Sequence, residues 1–283
     1  MSKEYSIAVL EQSGITITSR GELPVYRIEN KFGVTEFTTH GAHVLSFTPA
    51  GAEDLLWVSG ESWFTPGKPI RGGIPVCWPW FGPAGTPAHG VARIAFWDMD
   101  EIIPEADGST SIVLTLDKSS ELGLTAKLRI NAGAALTLSM TTRNVGVKPV
   151  TVSEALHSYF AISDITKITV NGLESKELSE PFFPGLRDGK IYFEQETDLV
   201  CQCGDKILTV DDPGKNRMIR VERFGCASAV VWNPWIEKSK RMVDYGDNEY
   251  PGMVCVEAAN ARSGAFVLLP GNSHTMGTRL SLI

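Results

Sequence analysis

The chain has 283 residues, 43% of them hydrophobic, and its 33 acidic residues against 26 basic ones give a formal net charge of −7. That apolar content supports a substantial buried core, as one large β domain or two ordinary ones, and excludes a disordered chain. The acidic balance argues against nucleic acid as a partner, since such partners favour a strongly basic surface.

In chain order, period-two alternation recurs where helical periodicity is scarce. Ile15 to Thr18 and Val34 to Phe37 read as short strands, and the next stretch breaks the pattern. Ile70 to Arg93, IRGGIPVCWPWFGPAGTPAHGVAR, carries five glycines and four prolines, which break any helix or central strand, so a shaped loop is expected. Arg71 and Arg93 offer planar forks of donors suited to phosphate or carboxylate, and Trp78 and Trp80 offer flat faces on which a sugar ring stacks. Taken singly, each tryptophan reads equally as core and each arginine as solvated surface. The joint pattern favours a small anionic carbohydrate, because no Asp or Glu occurs from Ser62 to Trp97 on an otherwise acidic chain.

Strands rich in Val, Ile, Thr and Leu then return at Ser111 to Leu116, Leu124 to Ile130 and Ala135 to Thr141. In SEALHSYFAI, His157 falls on a strand-like run, where a lone histidine is usually a satisfied core residue. Lys167 to Val170, Lys206 to Val210, Met218 to Glu222, Ala227 to Trp232 and Ala265 to Leu269 complete the strands. Turn signals such as Asp107-Gly108, Asn171-Gly172 and Asp188-Gly189 separate them into hairpins and meanders. Trp232, Asn233 and Trp235 sit on a turn, followed by a charged segment from Glu237 to Glu249 that reads as a mobile surface loop carrying Asp244 and Asp247. In MVCVEAAN, Glu257 interrupts an apolar strand, with Met253, Cys255 and Ala259 expected on its face. Two readings stand for it: a carboxylate held by a buried arginine or backbone donors, or a base whose desolvation raises its proton affinity.

The expected fold is all-β, with large antiparallel sheets face to face in a single domain over 1–283, since no linker, internal repeat or low-complexity segment divides the chain. Cys77, Cys201, Cys203, Cys226 and Cys255 are odd in number and form no C-x-x-C, so they read as free thiols in a reducing compartment. With no apolar run of signal-peptide or membrane-spanning length, a cytoplasmic location without a membrane partner is expected. His40, His43 and His89 do not make a convincing metal cluster, because residues three apart on a strand face opposite ways; His274 has no partner in view.

RGGIPVCWPWFG, HGVAR, ALHSYF, VWNPW and MVCVEAAN, in this order and spacing, resemble the glucose-6-phosphate 1-epimerase branch of the aldose 1-epimerase family, from about Ala42 to the C-terminus. The resemblance implies a galactose-mutarotase-like β-supersandwich and an enzyme without cofactor or metal that interconverts the α and β anomers of a hexose 6-phosphate. It implies His157 as general acid and Glu257 as general base, with Arg71, His89 and Arg93 as substrate contacts and Arg71 and Arg93 holding the phosphate. Asp198 of ETDLVC resembles the family's acidic sugar contact, and Trp78 and Trp232 complete the expected substrate-binding set. One departure is Ala88, where some relatives carry a polar residue before the His-Gly pair. A small-molecule sugar phosphate is thus the expected partner of a monomer or weak dimer. A non-catalytic sugar-phosphate sensor of the same fold, or an epimerase of unphosphorylated aldoses, are the rival expectations.

Overall fold

The strands of the computed structural model, which describes residues 10, 13–174, 178 and 185–283, lie where apolar and polar residues alternate. Leu124–Ala132 turns Leu124, Ala126, Leu128, Ile130 and Ala132 inward, and Leu136–Asn144 repeats the pattern beside it. A pleated strand sends successive side chains to opposite faces, so this alternation buries one face of the sheet and wets the other. These two strands sit in a ten-stranded antiparallel sheet that runs from Leu186–Arg187 at one edge to Asp98–Pro104 at the other. A separate four-stranded meander forms from Ile15–Arg20, Leu23–Asn30, Gly33–Thr38 and His43–Pro49.

The sheet that matters for chemistry has six strands. Its order is Thr197–Cys201, Ser228–Asn233, Met253–Asn260, Glu154–Leu156 and Val76–Cys77, with Tyr159–Ala161 also paired to Met253–Asn260. Met253–Asn260 is buried at every residue because both of its faces are covered. Val254, Val256 and Ala258 join the large core that includes Leu128, Leu138 and Met140 of the ten-stranded sheet. Met253, Cys255 and Ala259 join a smaller cluster with Tyr159, Val230, Trp232 and Tyr245 on the opposite face. Glu257 lies on that second face.

The Gly/Pro-rich segment is the shaped connection its composition predicts. It contains the two-residue strand Val76–Cys77, two single helical turns at Gly82–Ala84 and Ala92–Ile94, and cis Trp78-Pro79 and Thr86-Pro87. Gly90, at φ +78, lets the returning chain touch its own start: a Cβ there would lie 2.0 Å from the Trp78 carbonyl oxygen.

Four sequence expectations need correction. Trp78 presents no face to a ligand, and Trp80, though half-buried, does not line the cleft described below. The short strand before Trp78 carries it into the core, fully buried, where its Nε1 donates to Thr142 Oγ1 at 2.9 Å, and Trp80 Nε1 donates to the Pro87 carbonyl at 2.7 Å. His157 is not on a strand but in the break between Glu154–Leu156 and Tyr159–Ala161. His274 belongs to the strand Ser273–Leu282, and its Nε2 lies 3.0 Å from the Gly225 carbonyl oxygen and 3.6 Å from Glu154 Oε1. The segment after Trp232 is no loose loop: Trp235–Ser239 is helical and Asp244 and Tyr245 are buried.

Candidate active site

The sheet register itself brings the two candidate catalytic groups together. Leu156 pairs with Ala258 and Tyr159 with Cys255, so the intervening count sets His157 opposite Glu257. On the other side Glu257 pairs with Val230, and Val230 with Val200. Two residues along, Asp198 faces Trp232 and Trp232 faces Cys255, which faces Tyr159. Directly paired residues of antiparallel strands share a face, so these two rows pave one surface. The first row, with Asp198 and Trp232 of the second, is the floor of a cleft of about 720 Å³, which Cys255 and Tyr159 do not line. Its walls come from Phe81 to Ala84 and His89 on the Gly/Pro segment, from Lys238 and Met242, and from Thr151, Ser153, Arg262 and Ala265. A smaller hollow of about 390 Å³ on the N-terminal meander includes the Arg20–Glu36 ion pair but no buried titratable group.

His157 Nδ1 lies 3.3 Å from Glu257 Oε1. Glu257 is fully buried and His157 is 8% exposed, yet His157 Nδ1 and both carboxyl oxygens of Glu257 have no hydrogen-bond partner. Unsatisfied buried polar atoms are costly, so three at one point mark a place built for a ligand. Burial pushes the Glu257 carboxyl well above the usual carboxylate range, and the charge of Asp198 adds to the effect. Burial pulls the His157 imidazole well below its ordinary value, helped by His89, Arg71 and Arg93. Both shifts favour the uncharged side chains. Tyr159 stacks on the His157 ring at 4.6 Å and 11°, fixing its plane.

The other expected residues divide. His89, Asp198 and Trp232 line the cleft, as does Arg71. His89 is held at φ +65 with Nδ1 3.4 Å from the Gly82 amide nitrogen, and burial first, then Arg93 and Arg71, lower its pKa to about 3. Arg71 is already engaged: Nη2 reaches Asp244 Oδ1 and Oδ2 at 3.2 and 3.1 Å, and Nη1 donates to the Tyr159 hydroxyl at 3.1 Å. Arg93 is half-buried and outside the cleft wall, with Nη2 on the Ala88 carbonyl at 2.8 Å. There it shapes the turn that presents His89 and adds positive charge behind it.

Sequence reasoning missed Lys238, Arg262 and the burial of Asp244. Lys238 sits 2.8 Å from Glu196 and 3.7 Å from Asp198, with its ammonium 5.7 Å over the Trp232 ring. Arg262 lines the far end at φ +53, and among the described residues no acidic group pairs with it or with Arg93. Only its place one residue beyond the Glu257 strand and Ala261 hinted at Arg262.

Residues 24–281 match the profile of the aldose 1-epimerase family. The chain belongs to that family. An Escherichia coli K12 protein named "Putative glucose-6-phosphate 1-epimerase" is 33% identical over 275 residues, covering 92% of each chain. A protein of the same name from Cenchrus ciliaris is 35% identical over 267 residues, covering 88% of this chain and 81% of its own. Among solved structures, YeaD of Salmonella typhimurium superposes with a TM-score of 0.85 at 26% identity, covering 95% of this chain and 93% of that one. A galactose mutarotase related enzyme from Lactobacillus acidophilus, at 16% identity and a TM-score of 0.67, shares the fold. The architecture is thus a galactose-mutarotase-like β-supersandwich, and at the level of the family the activity is exchange of sugar anomers.

Proposed function

We propose that the protein interconverts the α and β anomers of a hexose 6-phosphate, with D-glucose 6-phosphate the first candidate. The observation that carries this reading is the orphaned His157–Glu257 pair, 3.3 Å apart on the cleft floor. Anomer exchange needs one group to take the C1 hydroxyl proton while another gives a proton to the ring oxygen. The opened aldehyde turns about its C1–C2 bond and closes by the reverse transfers. The pair carries one proton between two atoms already in contact. As the anionic substrate enters, its charge favours the imidazolium, and the Glu257 proton crosses to His157. Glu257 then accepts the C1 hydroxyl proton and His157 protonates the ring oxygen.

Asp198, His89 and Trp232 supply the sugar contacts: an acceptor for hydroxyls, a neutral imidazole and an apolar face. The choice of a phosphorylated sugar rests on charge. Asp244 neutralises Arg71, and Glu196 and Asp198 neutralise Lys238, which leaves Arg93 and Arg262 as the guanidiniums around the cleft without an acidic partner among the described residues. Arg71 keeps a place in the reading as a donor to the sugar or its phosphate. The names of the curated relatives point to the same substrate.

Exchange spectroscopy at the anomeric carbon of glucose 6-phosphate, with and without protein, tests the proposal beside free glucose and galactose. Faster exchange for the phosphate alone is the expected result. Equal acceleration of all three would make the protein a general aldose epimerase, and none would leave a sugar-binding protein.

A further inference from the structure

We propose that Cys255, His157 and Glu257 form a site for a borderline-soft divalent metal, with zinc the best fit, and that its occupancy blocks the cleft. One donor atom from each lies within 4.8 Å of the others, and all three residues are buried. The lone pairs are available: His157 Nδ1 and both Glu257 oxygens have no partner. The sheet fixes the geometry, since Cys255 and Glu257 are two apart on one strand face and His157 is opposite Glu257 in register. Stacking on Tyr159 holds the imidazole plane.

The donor set selects the ion. Magnesium and calcium take oxygen ligands, whereas one sulfur, one nitrogen and one oxygen suit zinc and its softer neighbours. Three protein ligands with a fourth position open is the arrangement of an accessible zinc site rather than a closed structural one. Bonds of about 2.0 to 2.3 Å to a tetrahedral zinc require donor separations of about 3.3 to 3.8 Å. His157 Nδ1 and Glu257 Oε1 already stand at 3.3 Å, and the widest separation, 4.8 Å at most, needs to close by about 1 Å. As the ion enters, the thiol and carboxyl protons leave to solvent, and the two resulting negative charges balance the metal.

Cys255 has no role in the sugar reading. It does not line the cleft, and among the described residues no hydrogen bond engages its thiol. Metal binding itself does not depend on the epimerase reading; only the blocking does, because the ion would take the lone pairs both proton-transfer groups need.

Chelator-stripped full-length protein titrated with cobalt(II) and zinc(II) tests the site. Calorimetry should give one ion per chain, and the cobalt complex should show a near-ultraviolet thiolate-to-metal charge-transfer band. Cys255→Ser should lose the band and at least about tenfold in zinc affinity, while Cys77→Ser, the nearby control thiol, keeps both. Binding without the band, or a band that survives Cys255→Ser, overturns the site. Should Cys255→Ser fail to fold, X-ray absorption of the wild-type zinc complex decides: one sulfur in the first shell supports the site and none overturns it. Zinc should slow anomer exchange reversibly, with chelator restoring the rate and magnesium having no effect. A charge-transfer complex that leaves exchange untouched overturns the blocking. A protein that binds zinc through Cys255 yet exchanges no anomers keeps the site and removes the epimerase reading.

Discussion

Glu257→Gln is the residue-scale test of the proposed chemistry. The substitution keeps the shape of a fully buried side chain but removes its ability to hold and release a proton. A positioned proton-transfer group contributes about 10²- to 10⁴-fold, so kcat should fall by that factor while glucose 6-phosphate binding stays within a few-fold. Retained turnover would remove Glu257 from the reaction. Burial drives the two members in opposite directions, Glu257 upward and His157 downward, each toward its uncharged form. The kcat/KM profile measured by anomeric exchange, which reports the free enzyme, should therefore keep its acid limb below the ordinary imidazole range, and an acid limb inside that range would mean that His157 titrates normally. Arg93→Ala and Arg262→Ala address the phosphate. Arg262→Ala should raise KM for glucose 6-phosphate about tenfold, as expected on losing a charge-assisted hydrogen bond, Arg93→Ala should raise it less through the charge lost behind His89, and both should barely alter the slow rate on free glucose. Equal losses on both sugars would assign these side chains to the fold or the sugar ring. The residue types were legible in the sequence, because a carboxylate inside MVCVEAAN and an acid-free, arginine-bearing loop are local anomalies. Which arginine is free was not, since Asp244 reaches Arg71 across 173 residues of chain.

At the scale of elements, legibility followed the length of the local pattern. Leu124–Ala132 and Leu136–Asn144 announce themselves by alternation over nine residues each. Val76–Cys77 has only two residues, too few for any period, so its delivery of Trp78 into the core was invisible. The break at His157 was hidden for a related reason: Leu156 and Tyr159 are both in register with one neighbouring strand, and only His157 and Ser158 lie between them. Trp78→Phe distinguishes a core indole from a sugar platform. Losing the donor to Thr142 should cost about 1 to 3 kcal/mol in urea unfolding and leave KM unchanged. A KM that rises without loss of stability would return Trp78 to the cleft. The segment around Asp244 makes a similar case. Its carboxylate is 8% exposed and pairs with an Arg71 guanidinium 21% exposed, so Asp244→Ala strands a largely buried cation. A loss of roughly 3 kcal/mol is expected, with faster proteolysis in 240–249 and a raised KM as Arg71 loses its anchor. Unchanged proteolysis would mean that Trp235–Ser239 and the packing of Tyr245 on Trp57, at 5.1 Å, hold the segment alone.

At the scale of the whole molecule, the two large sheets meet through a polar seam as well as an apolar core. Glu154, on the six-stranded sheet, accepts from Thr142 of the ten-stranded sheet at 2.9 Å and from Asn260 at 3.3 Å. Thr142 also accepts from the Trp78 indole, which ties the Gly/Pro segment to the same point. Glu154 is fully buried, and burial raises its pKa to about 7, against the lowering effect of those two hydrogen bonds. The folded protein therefore holds a proton there that the unfolded chain, titrating near 4.5, has released. A raised folded value contributes stability that is complete below about 4.5 and is lost as pH rises toward about 7. The gap of about 2.5 units corresponds to about 3 kcal/mol. Glu154→Gln keeps an acceptor oxygen for only one of Thr142 and Asn260, which donate to different carboxyl oxygens, and cannot ionise. Urea unfolding should find the variant gaining on the wild type by up to about 3 kcal/mol between pH 5 and pH 8.5, on top of a pH-independent cost for the lost acceptor. A difference independent of pH would mean that Glu154 is ionised throughout. Because Glu154 begins the strand that ends one residue before His157, the same titration should loosen the register opposite Glu257, and the hydrogen-exchange protection factors of Ala155 and Leu156, corrected for intrinsic exchange, should fall above pH 7 in the wild type alone.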